Sequence, residues 1–232
     1  MAHNHKGKSK IILLFFESFQ SFLPVLKNKY FYIGLAALVF GALLNIASQT
    51  YLHYYMTEGK TLPMLSDLIL DNLPVIDLSL IYDIFCIISL IIFLIYIADK
   101  KEYNKIPYFL LMCGIFMIVR GIFIVLTPFG NPPMFYGSDR LFNGFSRYEL
   151  GVYPSGHVGN TFMYLLLLKD KYYKRLLFIC LVIIIISLFL AHGHYSIDIF
   201  SGLFFTYAIR CFGDKYLTMF NLNNKTVTRL SI

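Results

Sequence analysis

Two histidines and an aspartate in this chain are spaced for chemistry. His194 and Asp198, in AHGHYSIDIF (residues 191–200), are four apart. On a helix they share a face, so the carboxylate can accept an imidazole N–H, fix the tautomer and stabilise the imidazolium. His157 lies in YPSGHVGNTF (residues 153–162), at the mouth of another apolar run. A Pro-Ser-Gly-His start fills a membrane helix poorly, and an ionisable group there costs insertion energy. Arg120 is the fourth polar group, seven residues before the end of an apolar run. That puts it about 10 Å below the outer edge at ~1.5 Å per residue. An arginine inside a span costs about 2.5–3.5 kcal/mol and is a functional candidate by default; its guanidinium suits a phosphate. Ser155 and Gly156 permit close approach to the first N–H groups of the following helix, which form an anion site. Two His, one Asp and one Arg around such a pocket suit phosphoryl transfer through a phosphohistidine. One imidazole attacks phosphorus and the other protonates the leaving oxygen. The scheme requires no metal, and no cofactor is expected.

The elements that must position these groups are membrane helices. Of 232 residues, 58% are hydrophobic and 14% charged, against roughly a quarter charged in soluble domains. The apolar runs reach the ~20 residues a bilayer crossing takes. Six spans are expected, near 30–47 (extending to 51), 78–98, 106–127, 154–168, 176–190 and 194–212, in an all-α polytopic fold. Residues 11–26 mix apolar residues with Glu17 and Gln20, with Lys27 just beyond, and read as an amphipathic helix on the inner surface. The chain thus divides into a tail with this helix (1–29), a six-span catalytic domain (30–212) and a second tail (213–232).

The net charge of +7 does not point to nucleic acid, because of where the cations fall. Sixteen of the 20 Lys and Arg lie in the two tails, in the loops 99–105 and 169–175, and, as Arg210, at the end of the last span. This is the positive-inside bias, so both termini are expected in the cytoplasm, with His157, His194 and Asp198 at the opposite, outward end. The partners this implies are the bilayer and its lipids. The apolar stretch 11–16 is too short for the core of a cleaved leader. Asn224 to Thr226 fits a glycosylation pattern but falls on the cytoplasmic side. Cys86, Cys113, Cys180 and Cys211 sit in or at the end of apolar runs and read as packing residues.

Other polar residues have plainer readings. Asp83, about one turn into the second span, could meet a cationic headgroup, a proton or another helix's polar group. Asp67, Asp71 and Glu149 read as solvated. His192 and His194 with Asp198 lack convincing metal geometry, and His192 reads as loop. The third outer loop holds Phe129, Phe135, Tyr136, Phe142, Phe145, Tyr148 and Tyr153. Such rings form an interfacial belt and can also hold a quaternary ammonium; Tyr153, beside the PSGH stretch, is counted among the substrate-binding candidates with Arg120, Ser155, Gly156 and Asp83.

PSGH at 154–157 and His-x-x-x-Asp at 194–198 resemble the last two signature motifs of the type 2 phosphatidic acid phosphatase superfamily. The closer resemblance is to its sphingomyelin synthase branch. YPSGHVGNTF is similar to a YSGHT-type motif and HYSID to HYTVD or HYSVD. RGIFIVLTPFGNPP (120–133) resembles an Arg-led third-span motif, and TLPMLSDLILDNLP (61–74) loosely resembles a Pro-Leu-Pro-Asp outer-loop motif. The chain lacks the Lys-x6-Arg-Pro motif of the phosphatase branch, and Leu188 stands where that branch has its phosphate-clamping Arg. The resemblance implies an outward-facing lipid phosphotransferase with a superfamily-like helical core. His194 would be the nucleophile, Asp198 its orienter, and His157 the general acid and then base. A phospho-headgroup would pass from a glycerophospholipid to a lipid hydroxyl such as ceramide, releasing diacylglycerol. With water as acceptor the same site is a phospholipase C. A lipid phosphate phosphatase and a non-catalytic scramblase or transporter stand as alternatives.

Overall fold

The computed structural model describes residues 20–132 and 153–223, and the elements within them are helices. They are α1 (Lys29–Thr57), α2 (Ser79–Asp99), α3 (Ile106–Leu126), α4 (Gly156–Leu167), α5 (Lys171–Leu190) and α6 (Ser196–Tyr216), with short 3₁₀ turns at Leu70–Asn72, Tyr103–Lys105 and Thr218–Phe220. Most of the N-terminal amphipathic segment lies outside the described residues; 20–26 are helical, and Phe22 packs edge-on against Phe31. The glycosylation pattern at 224–226 and the loop aromatics from Phe135 to Tyr148, with Glu149, also lie outside.

Four helices are long and apolar enough to cross a bilayer: α1, α2, α3 with its preceding turn, and α5. The two remaining expected spans are the ones assigned the candidate residues His157, His194 and Asp198. α4 has 12 residues, about 18 Å at ~1.5 Å per residue, too short to cross alone. α6 has 21 residues but holds Asp198, Arg210, Asp214 and Lys215. The length of α1 exceeds expectation: it runs 29 residues, to Thr57, because no Gly or Pro interrupts it between Ile46 and Glu58.

Close backbone approach joins α1 to α3, the most extensive helix pair in the fold. A Cβ on Gly41 would stand 2.7 Å from Met117 Cβ, and one on Gly114 2.6 Å from the Ala37 carbonyl carbon. Lipid tails are as apolar as leucine, so helices in a bilayer associate through such small-residue contacts and through polar side chains. Asn45 and Ser48 supply the polar part. Asn45 Nδ2 donates to the carbonyls of Gly41 (2.7 Å) and Met117 (2.5 Å), and Ser48 Oγ donates to that of Gly121 (2.8 Å).

On the other side α2 packs along α5, and α4 sits between α2, α3, α5 and α6. Gly159 lets α3 come close, since a Cβ there would fall 1.9 Å from Phe116 Cζ. Two apolar clusters result. One, including Phe93, Met112, Phe116, Met163 and Leu167, fills the half toward the basic loops. The other, Tyr82, Val158, Leu181, Ile184, Leu188 and Ile199, lies beneath the histidines.

The helix directions gather the titratable residues at two opposite ends. One end holds the pairs Lys105–Glu102, Lys100–Asp170 and Arg210–Asp214, with Tyr108 bonded to Arg210 and Asp214. The other holds Asp83, His157, His194 and Asp198.

Candidate active site

The starts of α4 and α6 are set by capping. Ser155 is the N-cap of α4, extended in ψ, and its hydroxyl accepts the Val158 N–H at 3.4 Å. The α4 start is therefore at Gly156, two residues later than the span expected from Pro154. The Ser155 N–H donates to the carbonyl of Asp198 at 3.0 Å, which ties α4 to α6. Ser155 is fully buried, so its hydroxyl serves the cap.

α6 begins at Ser196 with Tyr195 as N-cap, also two residues later than expected. His194 consequently precedes the helix, and the pairing of His194 with Asp198 is not that of two neighbours on one helical face. Asp198 is the third residue of α6 and reaches back over the helix start. Its Oδ2 accepts the Tyr195 N–H at 2.9 Å and meets His194 Nδ1 at 3.3 Å. This is the reciprocal half of a capping box. The spacing of four survives for a different reason: a carboxylate at that position can bond both the cap amide and the side chain just before it.

Asp83 is where sequence reasoning left the question open. It is fully buried in α2, and its Oδ1 meets His157 Nε2 at 2.9 Å. Each histidine thus has its own carboxylate. The rings of His157 and His194 face each other edge-to-face with centroids 6.0 Å apart, and Tyr82 flanks His157 at 5.1 Å. Asp83 Oδ2 and Asp198 Oδ1 are buried without a hydrogen-bond partner. A buried carboxylate with an unsatisfied oxygen is costly unless a positive charge lies near, and here the nearest group able to carry one is an imidazole. Asp83 lies 74 positions before its partner, and no local spacing could have paired them.

With Nδ1 of His194 turned to Asp198, a hydrogen bond donated there leaves the lone pair on Nε2. With Nε2 of His157 turned to Asp83, the atom for proton exchange is Nδ1. The ring nitrogens turned away from the two carboxylates are therefore different atoms of the two rings.

Arg120 reaches both α1 and the start of α4. Its Nε donates to the Pro154 carbonyl at 3.0 Å and its Nη1 to Asn45 Oδ1 at 2.6 Å. Asn45, contributed by α1, was not singled out by sequence; a buried amide in a long apolar helix was the available signal. The guanidinium lies against the first turn of α4. A Cβ on Gly156 would stand 3.1 Å from Arg120 Nε and 3.3 Å from Cζ. Gly156→Ala is therefore expected to push the guanidinium off the helix start and, if the site carries out the phosphoryl transfer the sequence suggests, to lower turnover about 10- to 100-fold, with thermal stability little changed. Steady-state kinetics beside a melting curve checks this.

Tyr153 is half-buried among Phe123, Phe129 and Phe205, and its hydroxyl is bonded to Ser201 at 3.1 Å. His192, with a left-handed φ of 49°, sits with Asp67, Asp71 and Tyr195 around a separate cavity of about 210 Å³. Among the described residues no three His, Cys, Asp or Glu side chains cluster as a metal site.

Asp67 departs from its expected solvated state. Its Oδ2 accepts the Ser196 N–H (2.6 Å) and its Oδ1 the Ser196 hydroxyl (2.8 Å), as well as the amides of Ile69 and Leu70. Tyr195 adds a second tie, accepting from the Leu65 N–H at 3.0 Å and donating to the Asn131 carbonyl at 3.2 Å. The segments around Leu65–Leu70 and at Asn131 are thereby fastened to the start of α6, beside His194. Burial pulls the Asp67 carboxyl upward, but the Ser196, Leu70 and Ile69 hydrogen bonds outweigh it and hold its pKa below the ordinary 3.8. A depressed folded-state pKa gives stability that is present above the unfolded value and lost as pH falls through the folded one. Asp67→Asn is expected to cost about 1 kcal/mol at neutral pH. The gap in melting temperature from the unsubstituted protein should close below about pH 4, which differential scanning in a pH series checks.

Compared with known proteins, the chain has no significant match to a family model, a curated protein or a solved structure.

Proposed function

We propose that the chain is a six-span membrane phosphotransferase of the sphingomyelin synthase type, with a core like that of the type 2 phosphatidic acid phosphatases. In this reading α4 and α6 complete the membrane domain, the Lys- and Arg-rich end faces the cytoplasm, and the two histidines face outward at headgroup depth. The observation that carries the proposal is the pair of His–Asp couples. His194–Asp198 and His157–Asp83 meet across 6.0 Å beside an arginine at a helix N-terminus.

The steps follow from the nitrogen assignments. Nε2 of His194 attacks the phosphorus of a glycerophospholipid's phosphodiester. The bond from phosphorus to the diacylglycerol oxygen breaks, and Nδ1–H of His157 gives its proton to that oxygen. Arg120 and the first N–H groups of α4 balance charge on the phosphoryl oxygens. The enzyme then holds the headgroup as a phosphohistidine. An acceptor hydroxyl, from a ceramide-like or diacylglycerol-like lipid, loses its proton to His157 and attacks phosphorus. The nitrogen–phosphorus bond breaks and His194 is restored. With water as acceptor the outcome is phospholipase C activity. Asp83 and Asp198 position the two rings and stabilise their protonated forms, which supports giving both histidines ionic roles.

The monoester phosphatase alternative draws less support. Leu188, at the place of that branch's clamping arginine, is fully buried in the apolar cluster with Tyr82, Ile184 and Ile199. A scramblase has no use for two oriented His–Asp pairs. The experiment is to incubate purified protein with labelled phosphatidylcholine, phosphatidylethanolamine and candidate acceptor lipids and to identify products by mass. Diacylglycerol with headgroup transfer or release is expected. Phosphate release from phosphatidic acid with no diester turnover would sink the transferase reading.

A further inference from the structure

The phosphoryl site accounts for the top of α4 and leaves the rest of one face unexplained. Along α4, His157 and Thr161 meet α2, through Asp83 and Ser89. Gly156, Gly159 and Met163 meet α3, through Arg120, Phe116 and the cluster around them. Asn160 and Tyr164, one turn apart, fall between these two rows. They therefore face the cleft between α2 and α3. Those two helices are consecutive and joined by a short turn, and their backbones come close at few positions, with Phe93 and Phe109 meeting between them at 5.3 Å between ring centroids. Half-buried Asn160 is the polar group of this face below the histidine. Deeper still, the cleft widens into an apolar groove of about 360 Å³, walled by Leu90, Leu94, Phe109, Leu110, Cys113 and Tyr164.

We infer that this face is a lipid track, on which a diacyl or ceramide-type lipid binds through its polar belt at Asn160 and through one acyl chain in the groove. The inference rests on the phosphotransferase reading and names how its substrate is held. Three observations at successive depths along α4 agree with the order of groups in such a lipid. The phosphoryl site comes first, at Gly156 and His157. About 4.5 Å deeper, at ~1.5 Å per residue, comes an amide side chain at the depth where ester carbonyls or a ceramide amide follow the phosphate. About 10 Å below the histidine the groove begins, lined almost wholly by carbon. α2 and α3 are both apolar enough to cross a bilayer, so an opening between them is an opening to acyl chains. The occupant is thus a chain continuous with a headgroup at the site, entering sideways from the membrane.

The test uses the full chain in nanodiscs with a phosphatidylcholine that carries a photoactivatable diazirine at the end of one acyl chain. Cross-linked peptides are mapped by mass, and kinetics are run with long-chain and short-chain diesters. The label is expected on the α2 and α3 segments containing Leu94 and Leu110. Leu94→Trp replaces a side chain 55% exposed in the cleft and should fold. It is expected to remove most of that label and to lower the preference for the long-chain over the short-chain diester about tenfold, the loss of roughly two buried methylenes. Asn160→Leu should weaken labelling several-fold, and Asn160→Gln should restore part of it. Labelling confined to the outer faces of α1 or α5, or an unchanged chain-length preference in Leu94→Trp, overturns the track. Diester turnover with the label elsewhere defeats this inference alone. Groove labelling without turnover supports the track while defeating the phosphotransferase reading.

Discussion

His194→Ala is expected to abolish both turnover and the acid-labile phosphoenzyme, lowering kcat by about 10⁴- to 10⁶-fold, the scale seen when a nucleophile is removed from a group acting as a unit. The argument is atomic. His194 is nearly fully buried and bonded through Nδ1 to Asp198, so its Nε2 is the nitrogen with a lone pair for phosphorus. Alanine leaves no other nucleophile at that position, since Tyr195 spends its hydroxyl on Leu65 and Asn131. The checks are rapid quench with a headgroup-labelled phospholipid and detection of the phosphohistidine on denatured protein. In Asp198→Asn the phosphoenzyme should still form, but slowly, because the amide holds the ring less well in the tautomer with the lone pair on Nε2. That variant should also lose stability, because Asp198 accepts the Tyr195 amide at the start of α6. Folding should therefore be followed alongside activity, and slow phosphoenzyme formation in a well-folded Asp198→Asn protein is the informative result. Full phosphoenzyme formation by His194→Ala would remove this residue from the mechanism.

Asp83→Asn is expected to have the second largest effect, a loss of about 10²- to 10⁴-fold in kcat, the usual worth of general acid–base catalysis. Asp83 touches no reacting atom in the proposed scheme; it acts through His157, whose Nε2 it meets at 2.9 Å. A simple packing role predicts a loss of stability with an unchanged pH profile. A positioning role predicts a shape change. Without a carboxylate on Nε2, the imidazolium loses its partner, so the alkaline limb of the pH–rate curve, where the general acid loses its proton, should move to lower pH. Asp83→Glu should recover part of the rate, being longer by one methylene but still anionic. Comparing kcat against pH for these variants decides between the roles. A substrate whose leaving group needs no protonation, such as a p-nitrophenyl phosphodiester, should be hit far less in its first step by Asp83→Asn than the lipid is.

The all-helical, membrane-embedded character was legible from composition and from runs of apolar residues, because the cost of placing unpaired backbone and charge in hydrocarbon constrains sequence strongly. Four helices long and apolar enough to cross bear that out. The same logic weakens where polar candidate residues enter the helices. α4 is short and starts with Pro-Ser-Gly-His, and α6 bears charge at both ends, so hydropathy reads them least clearly. The boundaries of α4, α5 and α6 were each misjudged by two to five residues because caps at Ser155, Asp170 and Tyr195 set them.

The sequence by itself determined which residue types are available for chemistry and one of the two couples. His194 and Asp198 are near enough in the chain for local backbone geometry to join them, even though a helix cap and not a helical face does so. Gly156 beside His157 was equally local. The tertiary structure alone decided the rest. Asp83 reaches His157, Arg120 finds Asn45 and the Pro154 carbonyl, and Asp67 crosses 129 positions to hold Ser196. Each of these partners comes from a different helix or loop, and no spacing rule relates them. They meet because glycines let α1 and α3 close on each other and let α4 slide under Phe116, which sets which polar groups share a depth. A sequence specifies such contacts only through the sum of its packing, and that sum is visible only once the helices are in place.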